Sequence, residues 1–187
     1  MSSNIKQFKN RKPSNLEQSF IDAENNCIET ANAVFVMFPR MAKLIQARYK
    51  NPNIYNLSGY FINSTQNTNA DDIIQQKLHS YKLLFIGTIK YIEGANILID
   101  AVSKLLPKYP KLEVHIIGMK SSDFNKLPDF VHCYGYLDKA KNDDRNIYNN
   151  LMESAKMIVN TTPKWSGFSS VIEAMYFYNP VITTAYD

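Results

Sequence analysis

From residue 82 onward the chain alternates short, mainly apolar runs with longer stretches in which apolar residues recur every three or four positions. The runs are Lys82–Ile86, Leu112–Ile117, Phe130–Tyr134, Lys156–Val159 and Val181–Thr184. Their length and continuity predict strands buried on both faces. Between them, Ala95–Leu106 places Ile97, Leu98, Ala101, Val102 and Leu105 on one broad helical face. Asp144–Glu153 turns Ile147, Tyr148 and Leu151 inward, and a third helix runs from Ser169 or Ser170 to about Phe177. Gly87, Gly118, Pro107, Pro110 and Asn179-Pro180 punctuate these elements. Five strands, starting near residues 82, 112, 130, 156 and 180 and alternating with helices, predict an α/β fold. The sheet is expected to be doubly wound, parallel and Rossmann-like, with right-handed crossovers.

The N-terminal third is patterned less regularly. Ser14 and Glu17 have capping-box spacing, and the helix they open carries Leu16, Phe20, Ile21, Cys27 and Ile28 towards one side. Residues 33–38 read as a buried strand. Pro39 opens a second helix, with Met41, Leu44, Ile45 and Tyr49 on one face, which Asn51-Pro52 ends. Ile54–Leu57 is a short strand, and Ser58-Gly59 a turn. Residues 61–69 are rich in Asn, Thr and Ser and form the best linker candidate. A short helix is expected over 71–79. The expected division is therefore an extension over 1–69 and a main domain over 70–187.

Composition narrows the function classes. With 187 residues, 45% hydrophobic and 20% charged, the chain has the make-up of a globular protein with a real core. The net charge of +4 is scattered, so no nucleic-acid footprint stands out. That charge does not oppose an anionic nucleotide or peripheral contact with an acidic membrane. No apolar run approaches the roughly 18 residues of a membrane span, and the first dozen residues lack a signal-peptide core. Cys27 and Cys133 read as free thiols, and a cytoplasmic location is the expectation. His79, His115 and His132 show no metal-ligand spacing and no Asp-x-Asp element occurs, so no metal is expected. Gly87 and Gly94 lie seven apart with no glycine between, which fails the dinucleotide fingerprint.

The most informative chemistry lies between Asn160 and Thr184. A strand runs into a polar loop holding Pro163 and Gly167, and Ser169 or Ser170 can cap the helix that follows. Gly167 lets backbone approach a ligand, and the unpaired N–H groups of a helix start favour phosphate. Glu173, one turn further in, can accept hydrogen bonds from two neighbouring hydroxyls such as a ribose diol. The competing reading makes Gly167 a turn and Glu173 a solvated helix residue.

The run Gly-Phe-Ser-Ser-Val-Ile-Glu-Ala-Met-Tyr-Phe-Tyr-Asn-Pro-Val-Ile-Thr-Thr resembles the signature of family-four retaining glycosyltransferases, which have the GT-B architecture. In that family a Pro-Ser-x-x-Glu-Gly-Phe-Gly loop leads to Glu-Ala-Met-Ala-x-Gly-x-Pro-Val-Ile, and its two Glu form a Glu-x7-Glu motif. The resemblance implies that Glu173 is the second Glu and holds the donor ribose. It implies that Gly167, Phe168, Ser169 and Ser170 lie on the donor's phosphates and sugar. Gly87 and Gly94 match the family's Gly-Arg-x-x-x-x-Lys-Gly element, whose cations neutralise the diphosphate. Here Thr88 and Glu93 occupy those positions, and Lys90 between them is the substitute phosphate contact. Tyr136 and Leu137 follow the glycine whose loop meets the base in the family. The first Glu is replaced by Trp165, or by Ser166 if Gly-Phe is aligned.

The resemblance spans roughly residues 17–187 and is strong from 82. It implies the incomplete donor half of a sugar transferase, with residues 1–69 the remnant of an acceptor domain and linker. A nucleoside-diphosphate sugar is then substrate, with no cofactor. The acceptor is a glycan or lipid-linked glycan, and the setting is polysaccharide or glycoconjugate biosynthesis. The lost Glu leaves a second reading open, a non-catalytic relative that binds a nucleotide sugar or a partner.

Overall fold

The computed structural model describes residues 12–57, 69–161 and 169–184. The chain divides into two units, one up to residue 61 and one from 62. The expected linker at 61–69 and the turn at Ser58-Gly59 lie outside the described residues, apart from Asn69.

In the first unit, α1 (Asn15–Thr30) starts at the expected capping box. The Ser14 hydroxyl accepts from Glu17 N–H and the Glu17 carboxylate accepts from Ser14 N–H. β1 (Val34–Val36), α2 (Pro39–Arg48) and β2 (Ile54–Asn56) form a βαβ turn with parallel strands, Val34 opposite Ile54. The apolar stripes read from the sequence are only partly buried. Ile21, Ala42 and Ile54 are enclosed, whereas Leu16, Phe20, Phe35, Met41 and Leu44 are exposed. Two three-residue strands offer too little area to cover either helix face. Polar ties compensate. The buried Asn51 amide donates to the Ile28 and Ala31 carbonyls (2.7 and 2.8 Å), satisfying the end of α1.

The second unit is an α/β Rossmann-like domain. It begins with α3 (Ala70–Leu78), capped by Asn69. The strands are β3 (Lys82–Ile86), β4 (Glu113–Ile117), β5 (Val131–Cys133), β6 (Met157–Asn160) and β7 (Val181–Thr183). They lie in the order β5-β4-β3-β6-β7, all parallel, so the expected sheet is present. Leu83, Phe85, Val114, Ile116 and Val131 face α4 (Ile92–Leu105), which covers one side through Ala95, Leu98, Ile99 and Val102. Leu84, Ile117 and Ile158 face the other side. There α5 (Asn142–Ser154) and α6 (Ser169–Tyr176) bring Tyr148, Leu151, Met152 and Ala174. The alternation of a strand's side chains supplies both cores from the same run.

Three local departures matter. Helix α4 starts at Ile92, ahead of its expected start, so Gly94 lies buried inside it rather than in a turn. Ile147, expected inward, is exposed beside the buried Tyr148 and Leu151. Ser169 and Ser170 are the first residues of α6 rather than a cap ahead of it.

Lys77 of α3 is buried, with 5% of its surface exposed. Its ammonium donates to the Met152 and Ala155 carbonyls at the end of α5 and to Asn179 Oδ1 (2.6, 3.2 and 2.9 Å). The Asn179 amide in turn donates to Met152 and Ala174 carbonyls. Burial pushes the Lys77 amine down to about 8. This cation ties α3, α5 and the end of α6 together. Tyr178 closes α6 with φ +57°, a left-handed conformation at the place where the quoted motif has glycine.

Candidate functional site

The chain enters the sheet at its centre, builds β4 and β5 on one side, and returns to build β6 and β7 on the other. The helices that follow β3 and β6, α4 and α6, cover opposite faces of the sheet, and it is at such a switch point that open α/β sheets bind ligands, at the carboxyl ends of the strands. Gly87 and Thr88 follow β3, and Thr161 follows β6. The Thr161 hydroxyl donates to the Gly94 carbonyl (2.6 Å), tying the end of β6 to α4.

Backbone hydrogen bonds lace the loops at this edge. Gly87 N–H donates to Ile117, Gly118 N–H to Gly135, and Gly135 N–H to Met119 (2.9, 2.7 and 2.8 Å). Gly118 cannot be replaced. Its φ is +99°, and a Cβ there would sit 2.5 Å from the Gly87 carbonyl oxygen.

Glu173 is the charged centre of the site. It lies on α6, only 7% exposed, which removes the reading of a solvated helix residue. Lys139 Nζ donates to both its carboxylate oxygens (2.8 and 3.0 Å), and the Tyr148 hydroxyl donates to Oε2 (2.8 Å). The Lys139 ammonium also stands 4.6 Å from the centre of the Tyr148 ring. The two partners differ in exposure. Tyr148 is buried, whereas the Lys139 side chain is 36% exposed. The carboxylate is thus held by one fixed donor and one cation that reaches in from solvent.

The other expected residues that are described differ in exposure. Thr88 and Lys90 are exposed, Lys90 within a short 3-10 turn (Ile89–Tyr91). Leu137 is buried with the core under α5 and α6, while Tyr136 is 78% exposed. Ser169 is exposed and Ser170 half-buried at the start of α6. Gly167, Phe168, Trp165, Ser166 and Pro163 lie outside the described residues.

Lys139 and Tyr148 were not among the expected site residues. Tyr148 carried a readable signal, since an inward-facing tyrosine on a helix needs a partner for its hydroxyl. Lys139 carried none, being one of several lysines in a polar stretch.

The sheet also gathers one cluster of side chains able to ligate a metal, which spacing in the sequence does not reveal. The in-register pairing of β4 and β5 brings His115 and His132 side by side with Glu113, although 17 residues separate the histidines in sequence. Burial, opposed by a hydrogen bond to Glu113, pushes the His115 imidazole below its ordinary value.

The sequence model of the family described as "Glycosyl transferases group 1" matches residues 80–187. Among curated protein sequences none matches the chain significantly. Solved structures share the fold, two of them as follows. The crystal structure of TarM superposes with a TM-score of 0.60 at 19% identity, over 87% of this chain and 32% of that one. A point mutant of S. aureus TarM, in complex with fondaparinux, alpha-GlcNAc-glycerol and UDP, gives 0.59 at 21% identity, over 86% and 32%. The chain thus spans about a third of the length of these structures (32%). No described helix is long and apolar enough to cross a membrane.

Proposed function

Since this chain belongs to the group 1 glycosyltransferases, we propose that its second unit is the donor half of a retaining, family-four-like enzyme. It takes a sugar from a nucleoside diphosphate to an acceptor hydroxyl. The observation that carries the reading is the buried Glu173 carboxylate at the switch point of the sheet, held in part by a cation that solvent can reach. A ribose diol would replace the Lys139 ammonium on Glu173, while Tyr148 keeps the carboxylate oriented. The displaced ammonium then lies free to meet the diphosphate, supplying charge that Thr88 and Glu93 do not.

In the transfer the bond from the anomeric carbon to the diphosphate breaks, and a bond to the acceptor oxygen forms. The acceptor hydroxyl gives its proton to an oxygen of the departing diphosphate. The departing diphosphate carries the developing charge, which the start of α6 and Lys139 stabilise. Gly167, Phe168, Ser169 and Ser170 would border the donor sugar and phosphates, Gly87, Thr88 and Lys90 the opposite wall, and Tyr136 and Leu137 the base. UDP is the first nucleotide to test, because the S. aureus TarM mutant was crystallised with it. Residues 1–69 are read as belonging to an acceptor half and linker. A glycan acceptor, polysaccharide or glycoconjugate biosynthesis, and a cytoplasmic location complete the proposal.

The Trp165 or Ser166 that replaces the first Glu favours a second reading, a binder of nucleotide sugars that performs no transfer. Radiolabelled UDP-sugar, offered with acceptor glycan to the chain alone and with a separate acceptor domain, separates the two. Label in the glycan supports transfer. UDP binding without transfer in either format supports the binder.

A further inference from the structure

The Glu113, His115 and His132 cluster belongs to a different part of the sheet from the donor site. Glu113 opens β4 at its amino end, whereas Glu173 follows the carboxyl end of β6. On β4 and β5 the residues Val114, Ile116 and Val131 enter the core under α4. Alternation sends Glu113, His115 and His132 to the opposite face. His115 is buried, Glu113 half-buried and His132 exposed, so the cluster has a rigid floor and an open mouth.

One ligand atom from each residue lies within 4.8 Å of the other two. His115 Nε2 is 3.1 Å from Glu113 Oε2. Two ligands of a tetrahedral zinc ion, each about 2.0–2.1 Å from the metal, stand about 3.3 Å apart. His132 is exposed, so its side chain has room to turn towards the other two. On its other nitrogen, His115 Nδ1 lies 2.7 Å from the Tyr134 hydroxyl. This is the outer partner that orients a metal-binding imidazole, with Nδ1–H donating to the tyrosine oxygen. Without a cation the same groups are satisfied by the reverse tautomer, with Tyr134 donating to Nδ1 and Nε2–H donating to Glu113. Lys82, opposite Glu113 in the neighbouring strand, is a nearby charge that opposes a cation.

We propose that Glu113, His115 and His132 bind one zinc-class divalent transition-metal ion, which clips the edge strand β5 to β4. Two imidazoles and one carboxylate suit zinc, nickel or copper rather than calcium or magnesium, which take oxygen ligands. Three protein ligands leave at least one position to water.

The test uses untagged protein, stripped with a chelator and titrated with ZnCl2 by calorimetry and thermal melting, with CaCl2 as control. One equivalent of zinc should bind and raise the melting temperature saturably. His132→Ala and Glu113→Gln should each lower zinc affinity at least about tenfold, since even loss of an outer partner costs that much. His79→Ala, outside the cluster, should bind as the wild type does. His132 is exposed, so its variant should melt cooperatively without metal. Absence of zinc binding by the wild type overturns the proposal. So does zinc binding that both cluster variants retain.

Discussion

Two charged side chains are buried on the same face of the sheet, and their surroundings differ in kind. Lys77 meets two main-chain carbonyls and one side-chain amide, contributed by α5 and the end of α6. Glu173 meets a lysine ammonium and a tyrosine hydroxyl. The partners of Lys77 belong to the frame, and no ligand can replace them without unfolding a helix end. Half of what holds Glu173 comes from a side chain in contact with solvent, so a ligand hydroxyl can take its place. The contrast separates a buried charge that holds the fold from one that is available for binding.

Removing the first charge should break the frame. Lys77→Ala leaves buried acceptors unpaired and opens a cavity, and should cost about 2–4 kcal/mol in urea denaturation. Nucleotide affinity of the protein that remains folded should not change. A loss of affinity with intact stability would invert the roles assigned to the two regions.

Lys139→Ala sharpens the other side. The ion pair is partly exposed, so stability should change by less than about 1 kcal/mol. UDP affinity should fall about tenfold, as expected for a charge-assisted phosphate contact, while uridine affinity holds or improves. Equal losses for UDP and uridine would show that Lys139 does not meet the diphosphate.

A further prediction concerns the pH dependence of the first region. The Lys77 amine titrates at about 8 in the folded chain and near 10.5 when unfolded. Between these values the unfolded chain binds more protons, so the stability of the wild type relative to Lys77→Ala should rise with pH across that window. A flat difference between pH 8 and 10.5 would place the amine in a less buried setting.

Much of the fold was legible because buried parallel strands are short apolar runs, and the glycines and prolines between them mark where each ends. The N-terminal unit was less legible. Its helices carry apolar stripes, but strands of three residues leave Leu16, Phe20 and Leu44 exposed, and periodicity does not report how much sheet is present to cover a stripe. Lys77 sits four residues from the buried Ile73, on the apolar stripe of α3, where a lysine ordinarily keeps its charge in water. Its acceptors come from residues 152, 155 and 179, which only the folded sheet brings near. The same holds at the candidate site. Glu173 was readable from its position beyond a strand and loop, whereas the Lys139 that answers it stands 34 residues away. The His115–His132 pairing depends on the register of β4 with β5, which no spacing rule contains.

The central claim is that Glu173 is held ready for a ribose. Calorimetric titration of UDP into the wild type and Glu173→Gln tests it most directly, with an unchanged melting profile as the check on folding. The account predicts measurable UDP binding by the wild type and a loss of about 1.5–3 kcal/mol, at least tenfold in Kd, in the variant. UDP binding of equal strength in both proteins would contradict it.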